Sequence, residues 1–247
     1  MTVAKGSCVD CQLKIHGFEA HCLQKMFGVF RKRIGIKGRK RSKPFEPTYE
    51  VERPGADGRM ETVRIPLAEA PRFLLMPKVG LPSIWVPQHG EHTLTMWMMR
   101  DKNDFDQMVE RFGHEGALEA IEINPSYFLR LIAKIAHGFA VVEEVPNLDG
   151  FELLLPDYIL NGTTPDRINH FVGNMDGERP PTERLHTVEL LYVMRDGFLY
   201  LVADVTLFAA MRAPTYTAVV ARRPLRSEDI VRAAELYADG AAHALSF

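Results

Sequence analysis

Thr187-Val-Glu-Leu-Leu-Tyr-Val-Met194, Arg195-Asp-Gly197 and Phe198-Leu-Tyr-Leu-Val-Ala-Asp-Val-Thr-Leu-Phe208 follow one another without a break. The first and third runs are rich in β-branched and aromatic residues. The turn signal between them makes the whole stretch two strands joined by a tight connection. A third strand is expected at 216–221. Upstream, Asn124 is a good N-cap and Pro125 suits a first helical position, so a helix is expected over 126–142. That helix is apolar nearly all round, which predicts a central place in the fold.

Working outward, residues 161–184 are rich in Gly, Pro, Asn and Asp and read as a long loop. A terminal helix is expected from Ser227, where Glu228 and Asp229 favour the first turn, to about residue 244. Tyr49-Glu-Val-Glu and Met60-Glu-Thr-Val-Arg-Ile alternate about Ala56-Asp-Gly58, the pattern of a β-hairpin. Further strands are expected at 73–76, 84–86 and 93–99, and a short helix at 104–112. The predicted fold class is α+β, a mostly antiparallel sheet packed on a central buried helix, with an N-terminal helix and a basic arm.

With 46% hydrophobic and 25% charged residues, the 247-residue chain has an ordinary globular composition and can bury a core without disulfide staples. Three cysteines argue against a secreted disulfide framework. No apolar signal region and no run of membrane-spanning length is evident, so the expected location is cytoplasmic, with no membrane partner. The net charge of −2 conceals a segregation. Residues 1–47 carry eleven Lys/Arg against three Asp/Glu, and the other 200 carry nineteen against twenty-nine.

Within 1–47 the apolar positions Phe18, Cys22, Leu23, Met26, Phe27, Phe30 and Ile34 fall at helical spacing from about Gly17 to Ile34, and Gly35 and Gly38 end the helix. Arg31, Lys32, Arg33, Lys37, Arg39, Lys40, Arg41 and Lys43 then place eight cations in thirteen residues with no acid among them. Such a run offers salt-dependent phosphate contacts to DNA or RNA without sequence preference. The alternative is an arm that folds back on its own acidic body. The expected division is therefore 1–47, a partial zinc knuckle, helix and arm, and 48–247, an α+β body.

Cys8-Val-Asp-Cys11 is half of a tetrahedral zinc site. His16, His21 and Cys22 are the local candidates to complete it. The set carried forward is Cys8, Cys11 and His21, an incomplete site, with Cys22 expected on the apolar face. The alternative is an unoccupied, oxidisable Cys pair. In the body, Arg130, Lys134 and His137 share one helical face, which suggests an anion pocket or an exposed seam with structural ion pairs. Glu91-His92 and Asn169-His170 are weak catalytic candidates, since neither adjoins a Cys pair.

Ala4-Lys-Gly-Ser-Cys-Val-Asp-Cys11, Phe18-Glu19, Met26-Phe-Gly28, Arg31, Ile34-Gly-Ile36 and Arg39-Lys-Arg41 resemble the second zinc knuckle of a group of bacterial HNH endonuclease-like proteins. The likeness continues through Leu131-Ile-Ala-Lys-Ile-Ala-His-Gly-Phe-Ala140, Asp204-Val-Thr-Leu-Phe208 and Pro214-Thr-Tyr216. It implies association with nucleic acid and a bound zinc ion. Members of that group carry an earlier Cys-x-x-Cys and a Glu-His-Ile/Val-Ile-Pro type segment, which this sequence lacks. The expectation is a truncated or degenerate relative without nuclease catalysis. The alternatives are an active nuclease whose start has been placed too late, and a non-catalytic interaction module that works with a protein partner or as a homodimer.

Overall fold

A computed structural model describes residues 9–36, 48–66, 69–70, 72–86, 94–116, 123–144, 148–174 and 182–231. It is an α+β protein with antiparallel sheets. The chain divides into two compact units, Met1–Ile15 with Lys78–Thr95 and Phe128–Phe247, and His16–Pro77 with Met96–Tyr127. This differs from the expected division at residue 47, because the N-terminal helices after Ile15 cluster with the first four strands rather than standing apart. Among the described residues no helix is long and apolar enough to cross a membrane.

Helix α1 (Val9–Ala20) starts well before Gly17 and runs into a π-helical turn (His21–Met26), where the Phe27 N–H reaches back five residues to the Cys22 carbonyl at 2.9 Å. The extra residue in that turn shifts the apolar stripe. Phe18, Cys22, Met26, Phe27 and Phe30 are buried, and Leu23 is turned out. Helix α2 (Gly28–Arg33) ends in a Schellman motif, with Gly35 N–H to the Lys32 carbonyl at 3.1 Å and Ile36 N–H to the Arg31 carbonyl at 2.8 Å. Gly35 takes φ +83°, as the expected helix stop requires.

The same unit holds the expected hairpin, β1 (Thr48–Pro54) against β2 (Met60–Pro66), and a second ribbon of β3 (Phe73–Lys78) and β4 (Thr95–Arg100). Helix α3 (Lys102–Gly116) follows and packs on β1. The Asp101 carboxylate accepts the Asp104 N–H at 3.2 Å and so caps its first turn.

The other unit is built on a five-stranded sheet. Its order is β5 (Glu152–Leu153), β9 (Thr215–Pro224), β8 (Phe198–Leu207), β7 (His186–Arg195), with β6 (Val172–Asn174) also on β9. The turn between β7 and β8 places Asp196 and Gly197 at φ +47° and +77°, the left-handed pair a two-residue hairpin needs. One face carries Tyr216, and the ring of Phe128 meets it edge-on at 4.9 Å. Phe128 belongs to α4 (Pro125–Glu144), which the Asn124 side chain caps by accepting the Tyr127 N–H at 3.0 Å. The burial expected of this helix is partial. It buries Phe128, Leu129, Ile132, Ala133, Ala136 and Ala140 but exposes Gly138, Phe139 and Val142 near its end.

On the opposite face, Trp85 packs with Tyr200, Val202 and Val219. Trp85 sits on a turn rather than the strand expected at 84–86, because Pro82 opens a tight reversal in which its carbonyl accepts the Trp85 and Val86 N–H groups at 3.1 and 3.3 Å. The same face carries two buried polar pairs across β8 and β9. Thr217 donates to Asp204 at 2.7 Å, and Thr206 and Thr215 meet at 2.7 Å. The expected long loop at 161–184 contains β6. Of the expected terminal helix, residues 227–231 are helical and the rest lies outside the described residues.

Gly173 on β6 lies directly beneath the segment 80–82. A Cβ there would fall inside the van der Waals radii of the Gly80 carbonyl oxygen and the Leu81 and Pro82 backbone. Since the obstacles are main chain, Gly173→Ala is expected to cost about 2–3 kcal/mol by overpacking. Urea denaturation of the variant, compared with Gly138→Ala in open helix space, measures it.

Candidate functional site

The basic segment begins on α2. Lys32 is exposed, and the Arg31 guanidinium donates to the Leu23 carbonyl at 3.3 Å. Arg33 behaves differently. Its guanidinium donates to Asp104 on α3 at 3.2 Å, and both side chains are about four-fifths buried, at 21% and 19% exposure. Asp104 also accepts the Arg72 Nε at 2.8 Å and the Arg72 backbone N–H at 3.2 Å. The hydrogen-bonded Arg72 side chain, with Arg33 beside it, holds the Asp104 carboxyl below the usual carboxylate range. Arg33 is thus tied to the fold by Asp104, away from the phosphate-contacting role expected for it. Lys37, Arg39, Lys40, Arg41 and Lys43 lie outside the described residues.

Of the zinc candidates, Cys8 lies outside the described residues, Cys11 is half-buried on α1, and His21 opens the π-helical turn with its ring edge-on to Tyr127 at 5.3 Å. With Cys8 outside the described residues, the set Cys8, Cys11 and His21 stays the expectation drawn from the sequence. Among the described residues no three His, Cys, Asp or Glu side chains converge as ligands. Cys22 is buried, as its spacing predicts, and burial first, with Glu19 adding to it, pushes its thiol up to about 12.

The α4 face of Arg130, Lys134 and His137, expected as an anion pocket or an exposed seam, is engaged in part by the fold itself. Arg130 turns to the end of α5 (Leu155–Asn161) and donates to the Ile159 carbonyl at 2.7 Å and the Leu160 carbonyl at 3.1 Å, beside the left-handed cap residue Gly162. A guanidinium on the last carbonyls of a helix complements its negative end. His137 is pushed down by burial, towards the neutral imidazole, which carries no charge for an anion. Lys134 is half-buried on the same face.

A cluster that sequence reasoning did not assemble forms around the Trp85 turn. The Ser83 hydroxyl lies 2.9 and 3.0 Å from the two Asp166 oxygens and 3.1 Å from His170 Nδ1, which is itself 2.6 Å from Asp166 Oδ1. Asp166 and His170 are one helical turn apart in spacing, the only local signal, and nothing in the sequence joins Ser83 to them. The residue types are those of a hydrolytic triad, but the arrangement is not. A triad histidine turns one nitrogen to the serine and the other to the acid. Here Nδ1 faces both, and Ser83 is buried to 6% exposure. Burial raises the Asp166 carboxyl, while Ser83, the Arg167 N–H and His170 lower it, and the net shift is downward. The cluster pins two loops together. His92 lies outside the described residues.

Comparison with protein-family models, with curated proteins and with solved structures finds no match.

Asp104 and Asp166 both have folded values below the ordinary 3.8. Each therefore contributes stability that is complete above the unfolded value and is lost as pH falls through the folded one. Asp104→Ala, which removes the carboxylate that Arg33 donates to and leaves Arg72 with Asp101 alone, is expected to cost about 1–3 kcal/mol at pH 7. The loss should shrink on acidification, as read from urea midpoints between about pH 2 and 7. Ser83→Ala is expected to lower stability by about 1 kcal/mol and to leave the fold intact by circular dichroism.

Proposed function

We propose that this is a nucleic-acid-associated protein that holds the phosphate backbone through the basic segment 31–43, with Arg33 serving as its anchor rather than as a contact. The observation that carries this reading is the charge segregation, eleven Lys/Arg against three Asp/Glu in residues 1–47 and nineteen against twenty-nine beyond. A strip of one sign joined to a body of the other concentrates attraction for a polyanion at the strip and repels it elsewhere. The Arg33–Asp104 pair supports it by fixing α2, where the strip starts, to α3. The resemblance of residues 4–41 to the knuckle-and-arm segment of HNH endonuclease-like proteins agrees in kind. Binding of this type positions the duplex without reading bases.

Fluorescence anisotropy with a generic duplex tests the reading. Affinity is expected to fall linearly with salt on a log–log plot. Lys37→Ala, Arg39→Ala, Lys40→Ala and Arg41→Ala together should flatten the slope by about 3–4, at about 0.9 per lost phosphate contact. Arg33→Ala should leave the slope nearly unchanged. Absence of binding at about 20 mM salt, where such contacts are strongest, sinks the proposal.

A further inference from the structure

The Asp166–His170 pair leaves one ring nitrogen for other work. A carboxylate oxygen 2.6 Å from Nδ1 requires a proton on that nitrogen, so a neutral His170 ring carries Nδ1–H and keeps its lone pair on Nε2. Among the described residues every hydrogen bond of the ring runs through Nδ1, to Asp166 and to Ser83. Nε2 is neither bonded nor sealed, and the His170 side chain keeps 14% of its surface beside an Asp166 side chain that is 47% exposed. The ring is also held in place. Phe171 meets it edge-on at 4.5 Å, the His170 N–H donates to the Arg167 carbonyl at 3.0 Å, and the His170 carbonyl accepts the Ile84 N–H at 3.2 Å. Asp166 is oriented in turn by the Ser83 hydroxyl and by the Arg167 N–H at 2.6 Å. An imidazole so supported meets a reactant with little rearrangement.

The geometry points to His170 Nε2 as a nucleophile that accepts an acyl group from uncharged, activated esters, with Asp166 as its positioning residue. Nε2 attacks the ester carbonyl carbon, a C–N bond forms, and the C–O bond to the alcohol breaks. The Nδ1 proton, held towards Asp166, leaves through water to the departing alkoxide, so the acylimidazole is neutral. Water then cleaves the new C–N bond, releasing the carboxylic acid and returning a proton to the ring. Ser83 is not the nucleophile, because it is 6% exposed and its hydroxyl is turned to the carboxylate. Charge selects acyl over phosphoryl donors. Residues 48–247 carry nineteen Lys/Arg against twenty-nine Asp/Glu, and Asp166 itself flanks the ring, so anionic phosphoryl oxygens are repelled. Ile168, two positions before His170 and 44% exposed, leaves apolar surface on the same loop.

Nitrogen NMR of the full chain and reaction with p-nitrophenyl acetate test the inference. The wild-type His170 ring is expected as the Nδ1–H tautomer. After an acid quench, mass spectrometry should find the acetyl group on His170. His170→Gln should lower p-nitrophenolate release about tenfold or more, while His16→Gln, on the exposed face of α1, should leave it unchanged. Asp166→Asn offers Nδ1 a donor in place of a carboxylate. It should convert the ring to the Nε2–H tautomer and slow release about tenfold or more. Tautomer and acetylation site are read on the wild-type chain, so neither depends on the stability of a variant. A wild-type ring in the Nε2–H tautomer overturns the inference. So does acetylation that spares His170, release indifferent to His170→Gln or Asp166→Asn, or faster release from p-nitrophenyl phosphate than from the acetate.

Discussion

Irregular backbone can be buried only if something answers its N–H and C=O groups. In this protein two asparagines do so. Asn174 on β6 accepts the N–H groups of Val79 and Gly80 at 2.6 and 3.1 Å, and Asn169 donates to the carbonyls of Val79 and Leu81 at 3.0 and 2.8 Å. Both side chains are 2% exposed. An amide carries donor and acceptor together and can substitute for a neighbouring strand where none fits. Once the segment 79–82 is held, Pro82 reverses the chain, Trp85 enters the core beside Tyr200, and Ser83 arrives at Asp166 and His170. The packing of one whole sheet face follows from those amide contacts.

The second unit solves a different problem, that of keeping cations close together. Asp104 sits in the first turn of α3, where the helix end already favours negative charge, and two guanidiniums converge on it. Arg72 is held further by Asp101 at 2.7 Å. Positive side chains there are fixed to the fold, whereas Lys32, one residue earlier in the chain than Arg33, remains at the surface. Adjacent residues of one basic run thus serve different ends, one tying helices together and the other facing water.

What the sequence discloses depends on whether the signal is local. The hairpin of β7 and β8 was legible because Asp196-Gly197 needs no distant partner to be a turn, and α4 was legible because Asn124 and Pro125 announce its start. The Schellman stop at Gly35 is of the same kind. The turn at 83–86 reads as a strand because Ile84, Trp85 and Val86 have strand character, and it is bent by the reversal at Pro82, which follows the segment that the distant amides of Asn169 and Asn174 hold. The π-helical turn is equally hidden, since one inserted residue leaves composition unchanged and moves only Leu23. In the candidate site, the buried place of Cys22 followed from spacing. The roles of Arg33 and Arg130 did not, because each is decided by a carboxylate or carbonyl 29 or more positions away.

The buried pairs of β8 and β9 have a bearing on how the sheet finds its alignment. Asp204 faces Thr217, and Thr206 faces Thr215. A slip of two residues keeps every side chain on its proper face, so hydrophobic patterning alone does not forbid it. It would, however, leave Asp204 opposite Val219 in one direction, or Thr217 opposite Val202 in the other. A carboxylate or hydroxyl would then be sealed away from water with its mate displaced, at a cost comparable to much of the stability of a domain. These four polar side chains work as a key cut into an oily surface. They reject near-miss alignments that the surrounding valines and alanines would tolerate.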